Sequence, residues 1–258
     1  MPTTYFSPTV IIPTIKPNHV LEGSYILIQD EIKTYSVLGQ SSPSSNRNGN
    51  QKKAIIVTHD MMGFNNVSNQ ICDIIASQGY RVMMPYLFLD EPYTRERAVL
   101  ESNVERFAWI ARVAPVDHLT RVIDKTILQL RTEGFEDMGV LGLSWGGKVA
   151  ALASQNKAFS AAITIHTPWL TFNDLKDTEC PICLITPGDL QDLTPVVKSL
   201  QEIKPFARKI VHARFQDLRY GLLSMFTDFA NPMVAELATD VLRVAVTFLK
   251  ENLGIRNY

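Results

Sequence analysis

Gly139-Val-Leu-Gly-Leu-Ser-Trp-Gly-Gly-Lys148 is the stretch of this sequence that decides the fold. It joins a short apolar strand, a Gly-x-Ser-x-Gly turn and the start of a helix, which is the context that a nucleophile elbow requires. Gly142 and Gly146 carry no Cβ, so the strand and the helix can approach each other closely around the turn. The pattern predicts that Ser144 lies at a sharp corner with its hydroxyl exposed above the end of a central strand. An ordinary strand–helix turn that carries a serine is the alternative.

Outside this stretch, strand and helix patterns alternate without an internal repeat. Strands are predicted at residues 25–28, 32–38, 54–58, 81–84, 139–143, 161–165, 182–186 and 209–213, and a last helix at about 232–253. Repeated strand–helix units predict an α/β fold with a mostly parallel central sheet and helices on both faces. In such sheets functional sites lie at the carboxyl ends of the strands.

Two segments depart from this alternation. Residues 41–53 are polar and rich in Ser and Asn, which predicts a flexible loop without a functional role. Residues 90–114 mix charged and bulky side chains between a strand and its expected helix. We expect a helical excursion over the strand ends, either a lid that shapes a substrate pocket or a segment packed on its rim.

The overall composition limits the classes of function. A chain of 258 residues suits one large domain over residues 1–258. Its net charge of −1 gives no strong positive electrostatic potential that would attract nucleic acid or an anionic membrane. No apolar run is long enough to span a membrane, and the N-terminus lacks the pattern of a signal peptide. We therefore expect a cytoplasmic monomer or homodimer whose partner is a small-molecule substrate.

Neither a cofactor nor a metal is expected, because the sequence has no metal-ligand spacing and no Gly-rich phosphate loop. Cys180 and Cys183 form a C-x-x-C pair, but it leads into a predicted strand and has no further ligands nearby. We interpret both cysteines as small buried hydrophobic residues.

Three motifs together resemble the dienelactone hydrolase family of the α/β-hydrolase superfamily. They are Val57-Thr-His-Asp-Met-Met-Gly-Phe-Asn65, Ser77-Gln-Gly-Tyr-Arg-Val-Met-Met-Pro85 and Gly142-Leu-Ser-Trp-Gly-Gly-Lys148. The resemblance extends from about Ala54 to the C-terminal helix. It implies an α/β-hydrolase fold and the hydrolysis of esters and lactones by a cysteine or serine nucleophile, an aspartate and a histidine.

The resemblance assigns roles to residues near the nucleophile. Ser144 falls on the nucleophile, and the backbone amides of Met61 and Trp145 fall on the oxyanion hole, which stabilises negative charge during acyl transfer. Asp60 falls where the family often has a glutamate that contacts the nucleophile. Capping or bracing of the following helix is the alternative role for Asp60.

The acid and the base are less clear from the sequence. Asp192 is favoured as the acid because the family's aspartate usually lies a few residues before a proline, and Asp189 is the alternative. Tyr220 stands where the family has its histidine. A neutral tyrosine cannot accept the serine proton at pH 7 as an imidazole does. His59 and His166, each at the end of a predicted strand, are the candidates to replace the base or to contact substrate.

The expected pocket is apolar and rich in aromatic side chains. The arginines that anchor an anionic lactone in the family fall on Asp90 and Ser224 here, so a neutral, hydrophobic ligand is expected. Three functions remain open, namely a serine hydrolase of a neutral ester, lactone or thioester, a non-hydrolytic cyclase- or isomerase-type enzyme, and a non-catalytic binding protein. The candidate substrate-binding residues are His59, Asp60, Tyr86, Phe88, His166 and Trp169.

Overall fold

An eight-stranded sheet forms the centre of the molecule. The computed structural model describes residues 10–16, 19–39, 52–89 and 92–253. The strands are β1 (Ser24–Ile28), β2 (Ile32–Val37), β3 (Lys53–Thr58), β4 (Arg81–Pro85), β5 (Asp137–Leu143), β6 (Phe159–Ile165), β7 (Ile182–Pro187) and β8 (Val211–Phe215). Their spatial order is β1-β2-β4-β3-β5-β6-β7-β8. The six strands from β4 to β8 in that order pair in parallel, and β2 is antiparallel to both of its neighbours.

Helices cover both faces of this sheet, as predicted. They are α1 (Asn66–Ala76), α2 (Arg95–Leu100), α3 (Asn103–Val113), α4 (Val116–Thr132), α5 (Gly146–Ala153), α6 (Phe172–Leu175), α7 (Thr194–Ile203) and α8 (Pro232–Asn252). Buried side chains of α1 and α8 form one core with the sheet, and those of α4, α5 and α7 form the other. Strands buried on both faces explain why β3, β5 and β7 are nearly continuous apolar runs.

The predicted elements differ from the structure in a few places. The last strand starts at Val211 rather than residue 209, because Ala207–Lys209 forms a short 3-10 turn. The predicted loop at 41–53 lies largely outside the described residues, and Lys53 already belongs to β3. The described part of the 90–114 segment is helical, as expected, and contains α2 and α3.

Cys180 and Cys183 are buried and unpaired, in agreement with their interpretation as core residues. Across residues 10–16, 19–39, 52–89 and 92–253, no helix has the length and apolar character that crossing a bilayer requires.

Candidate active site

The turn after β5 has the backbone geometry of a strained elbow. Ser144 adopts a left-handed conformation with φ of 52°, and its amide donates to the carbonyl of Ile165 on β6 at 2.9 Å. A Cβ on Gly146 would lie 2.2 Å from the carbonyl oxygen of Thr58, and one on Gly142 would lie 2.4 Å from the carbonyl oxygen of Gly146. Both positions therefore require glycine, and β5, the turn and α5 can form this corner only because those side chains are absent.

The hydroxyl of Ser144 contacts a second hydroxyl. Its Oγ lies 2.9 Å from Oη of Tyr220, in the place where the family resemblance puts a histidine. Burial raises the pKa of Tyr220 above its ordinary value, and the nearby charge of Asp60 adds to this effect. The phenol is therefore neutral at pH 7. Among the described residues, no imidazole nitrogen lies within hydrogen-bonding distance of the Ser144 hydroxyl.

The acidic residue beside Tyr220 is Asp189. Its Oδ1 accepts a hydrogen bond from the backbone amide of Tyr220 at 2.8 Å. Asp192, which the sequence favoured, instead accepts from the amide and hydroxyl of Thr194 at 2.9 and 2.7 Å. It also pairs with Arg214 at 3.2 Å. Asp192 thus braces the first turn of α7, whereas Asp189, the alternative acid, is the one that contacts residue 220.

His59 is held by the backbone on both sides of its ring. Its Nδ1 donates to the carbonyl of Asp60 at 2.7 Å, and its Nε2 accepts from the amide of Leu87 at 3.0 Å. The ring is fully buried, and burial lowers its pKa to about 4. His59 is therefore a neutral structural residue, and its expected role as base or substrate contact is wrong, because both nitrogens are already used.

Asp60 lies beside the elbow with an unusually basic carboxylate. It is 6% exposed, and burial raises its pKa to about 6. Its Oδ1 accepts from the amide of Met62 at 2.8 Å and from Nδ2 of Asn65, the N-cap of α1, at 3.5 Å. One carboxylate oxygen thus braces the loop before α1, which was the alternative role for this residue.

A cavity of about 630 Å³ opens at the carboxyl ends of the strands. Six of the predicted site residues border it, namely Asp60, Met61, Ser144, His166, Trp169 and Tyr220. His166 is 4% exposed, and the half-buried Trp169 packs edge-on against Phe107 of α3, with ring centroids 4.8 Å apart. The cavity is therefore bordered by the elbow, by the loop after β3 and by the segments that follow β6 and β8.

Tyr86 and Phe88 do not border this cavity, contrary to expectation. Phe88 is buried in an aromatic cluster, with its ring centroid 5.0 Å from that of Trp109 and 5.4 Å from that of Trp145. Tyr86 packs on the same cluster, 5.7 Å from Phe88 and 5.5 Å from His59. These rings support the loops beneath the site, since they contact each other rather than the cavity.

Several residues of the cavity wall were missed from the sequence. Tyr93, Ala98 and Arg106 come from the helical excursion, and another group follows Tyr220 and continues into α8, namely Leu222, Phe226, Val234 and Leu237. The sequence predicts the excursion as a candidate pocket segment, but no spacing of residues within it identifies these three side chains as part of the cavity wall. A cluster of Leu, Met and Phe between the last strand and the last helix was the available signal for the second group.

The oxyanion-hole candidates are the backbone amides of Met61 and Trp145. In the described part of the chain neither amide donates a hydrogen bond to another protein group, while the carbonyl of Met61 accepts from the amide of Tyr93 at 2.9 Å. Both amides are therefore without a protein acceptor among these residues; Met61 borders the cavity, and Trp145 directly follows Ser144 in the chain but is not among the residues of the cavity wall. The described residues contain no group of three or more His, Cys, Asp or Glu side chains arranged to hold a metal ion.

Comparison with known families gives a match over most of the chain. The model of the family described as dienelactone hydrolase family matches residues 42–203. No curated protein matches the sequence.

Several solved structures share the fold. A candidate dienelactone hydrolase from Klebsiella pneumoniae is 14% identical, with a TM-score of 0.66, and the match covers 90% of this chain and 98% of that one. A dienelactone hydrolase-like promiscuous phosphotriesterase from metagenomic libraries is 12% identical, with a TM-score of 0.62 and coverage of 92% and 100%. An α/β serine hydrolase without a lid from Xanthomonas campestris is 14% identical, with a TM-score of 0.56 and coverage of 93% and 99%. At these identities the likeness concerns the fold.

Proposed function

The chain belongs to the dienelactone hydrolase family, and we propose on this premise that it hydrolyses a neutral, hydrophobic ester, lactone or thioester with Ser144 as nucleophile. The position of Ser144 carries this proposal. Its hydroxyl borders the cavity at the end of β5, on a strained backbone with φ of 52°. Such strain at a cavity wall is a feature of functional sites, because packing must compensate its cost.

The reaction proceeds by acyl transfer. The Oγ of Ser144 attacks the substrate carbonyl, and the amides of Met61 and Trp145 donate to the oxygen that becomes negative. The alcohol or thiol leaves with a proton, and water then hydrolyses the acyl-serine to release the acid. The Tyr220 hydroxyl, 2.9 Å from Oγ, orients the nucleophile.

Asp60 is the proposed base. Its carboxylate borders the cavity, and its charge reaches the Tyr220 phenol strongly enough to raise the pKa of that phenol. Its own pKa of about 6 lies near neutral pH, where a general base works best. We assign the base role to Oδ2, because Oδ1 is occupied by the amide of Met62.

The cavity wall supports a neutral substrate. Its apolar members include Met62, Trp169, Leu222 and Phe226, and Ser224 borders the cavity where the family anchors an anion with arginine. Asp90, the other such position, lies outside the described residues. Two arginines also border the cavity. The terminal nitrogens of Arg106 donate to Oδ1 of Asn103 and the carbonyl of Ala98. The exposed Arg219 is balanced by the exposed Asp217 and Asp228 of the same wall.

Covalent labelling tests the proposal directly. A fluorophosphonate probe is expected to add one adduct to the wild-type protein by intact mass, with loss of fluoride, and none to Ser144→Ala. The wild-type protein is expected to hydrolyse nitrophenyl acetate or butyrate slowly, because an incomplete triad retains about 10³–10⁴-fold acceleration over water. An unlabelled protein after long incubation, with no ester turned over, contradicts the proposal.

The Ser144–Tyr220 contact favours a second candidate, which is non-hydrolytic chemistry such as cyclisation or isomerisation. A neutral phenol beside two oxyanion donors is a general acid rather than a base. In that case Tyr220→Phe would reduce turnover of the physiological substrate more than Ser144→Ala does. The hydrolase proposal expects the opposite order.

A further inference from the structure

His166 is a buried histidine whose ring has no hydrogen-bond partner. It follows β6 at the edge of the cavity and is 4% exposed. Neither Nδ1 nor Nε2 has a partner among the described residues, and both atoms are shielded from solvent. An unsatisfied buried polar group costs about 1–3 kcal/mol, so the free protein keeps this imidazole at the site against its own stability.

The backbone around His166 is strained as well. The described non-glycine residues with positive φ are Gln29, Asp30, Ser144, His166 and Trp169. The first two turn the hairpin between β1 and β2, whereas the other three all border the cavity. His166 itself has φ of 42°. Backbone strain that clusters at a cavity wall is typical of functional sites, which points to a role for the end of β6 in ligand binding.

The surroundings of His166 favour a neutral imidazole that forms hydrogen bonds over a protonated imidazolium. Within the described part of the chain, no carboxylate contacts the ring, so nothing nearby would stabilise an imidazolium. Burial accordingly lowers its pKa to about 4. A neutral imidazole has one N–H donor and one acceptor nitrogen. It can therefore bind a hydroxyl, which also donates and accepts.

Tyr220 is the group that screens this ring. The two rings meet edge-on with centroids 5.8 Å apart, and Tyr220 is 46% exposed. Because this ring is half-exposed, its edge can shift away from the imidazole without disturbing the core, while the Tyr220 hydroxyl keeps its contact with Ser144. A substrate that enters beside Ser144 thus meets both the nucleophile and the imidazole, so the polar group that His166 binds lies near the reacting carbonyl.

We propose that His166 selects substrates that carry a hydroxyl close to the reacting carbonyl, so that the enzyme acts on hydroxy-substituted esters or lactones rather than on plain acyl esters. The inference rests on the proposed hydrolase function and names its substrate class. A site that binds a hydroxyl discriminates against the analogue without it, because the buried nitrogens would then stay unpaired.

Matched esters test this selectivity. Wild-type kcat/KM is expected to be about tenfold or more higher for nitrophenyl 2- or 3-hydroxybutyrate than for nitrophenyl butyrate. His166→Phe is expected to reduce this ratio to about one, and His166→Gln, which keeps a donor and an acceptor, to preserve part of it. His118→Phe, on α4 away from the cavity, is the control and should keep the wild-type ratio. An equal rate for all three esters in the wild-type protein, or an unchanged ratio in His166→Phe, overturns the inference.

A binding measurement separates this inference from the hydrolase proposal. In Ser144→Ala protein, the ring nitrogen signals of His166 should shift in NMR spectra on addition of methyl 3-hydroxybutyrate and stay in place with methyl butyrate. Failure of every ester to turn over would then count against hydrolysis alone, since the NMR comparison needs no reaction. Identical responses to the two esters would count against His166.

Discussion

The hydroxyls of Ser144 and Tyr220 are 2.9 Å apart and form the hydrogen bond in which the family's triad would use an imidazole. Both groups are neutral at pH 7, because burial raises the pKa of the phenol further above its ordinary value. Either oxygen can donate to the other. The pair therefore orients the nucleophile without removing its proton, and it defines what the site needs from a neighbouring base.

Replacement of Tyr220 by histidine should add a second base, in direct contact with Ser144, to the one proposed at Asp60. In Tyr220→His the imidazole would stand beside Ser144, and Asp189 already accepts a hydrogen bond from the backbone of residue 220. We expect kcat/KM for nitrophenyl butyrate to rise about 10²-fold or more, the usual contribution of general base catalysis. Steady-state kinetics at pH 7–8 measures this gain.

Tyr220→Phe is the matched control for that gain, because it removes the hydroxyl without adding a base. It should reduce activity below the wild-type value. Equal activity of the histidine and phenylalanine variants would mean that Ser144 is not the nucleophile in this protein.

Asp189 and Asp192 should differ in their effects on activity and stability. Asp189→Ala removes the charge-assisted bond to the Tyr220 amide, so the phenol loses its position and kcat should fall about tenfold. Asp192→Ala removes the brace of α7 and should leave kcat near wild type with a small decrease in melting temperature. Parallel kinetics and thermal melts of the two variants check this. Loss of activity in Asp192→Ala alone would restore the original assignment.

The fold and the strained turn that carries Ser144 were predictable from the sequence because their signals are local. Residues adjacent in the chain encode the apolar strand, Ser144 and the two glycines that the close approach of α5 to β3 and β5 requires. Strand–helix alternation then implies a parallel sheet with its site at the carboxyl edge. No distant contact has to be known for either conclusion.

The roles of the polar residues depend on distant contacts, which is why the sequence did not separate them. His59 is unsuited to act as the base because its Nε2 already accepts a hydrogen bond from the amide of Leu87, 28 positions away in the chain. Asp189 is distinguished from Asp192 by the amide of Tyr220, 31 positions away. Arg106 and Phe226 border the cavity. They lie in the segments between β4 and α4 and between β8 and α8, and no local sequence pattern shows that these segments fold over the site.

Asp60 should determine the acid limb of the pH–rate profile. Its pKa is raised to about 6 by burial, and the proposed base must be ionised to accept a proton. The value of kcat/KM should therefore rise as pH increases through about 6 and level off above it. Asp60→Asn should lower kcat/KM about 10²-fold or more and remove this limb, while asparagine still accepts from the Met62 amide.

Asp117→Asn, on the exposed face of α4, is the matched control for that charge change and should keep the wild-type profile. An acid limb that persists unchanged in Asp60→Asn would exclude Asp60 as the base.

Gly146→Ala should damage the fold of the elbow. The new methyl group would lie 2.2 and 2.4 Å from the backbone carbonyl oxygens of Thr58 and His59, and backbone cannot move aside as a side-chain tip can. We expect a loss of about 3 kcal/mol or more in the free energy of unfolding. Gly79→Asn is the control, because open space surrounds Gly79 and the substitution costs only the strain of a side chain at φ of 94°, about 1 kcal/mol, which asparagine tolerates better than most residues. Urea denaturation of both variants measures the difference, and near-wild-type stability of Gly146→Ala would contradict the described corner.

The buried imidazole of His166 should make the protein less stable in acid. Its folded pKa of about 4 lies below the ordinary histidine value of 6.5, so between these two values the unfolded chain binds a proton that the folded chain does not. The free energy of unfolding should therefore be unaffected by this titration above pH 6.5 and should decrease as pH falls toward 4, by about 3 kcal/mol in total.

His166→Phe removes both this titration and the unpaired nitrogens. The variant should match or exceed wild-type stability at pH 7, and its advantage should grow as pH falls from 6.5 to 4. Urea denaturation at several pH values measures the two curves. Such a gain in stability alongside a loss of substrate selectivity is the behaviour of a residue kept for ligand recognition at a cost to the fold. Parallel curves for wild type and His166→Phe would mean that the ring is solvated in solution and bears no such cost.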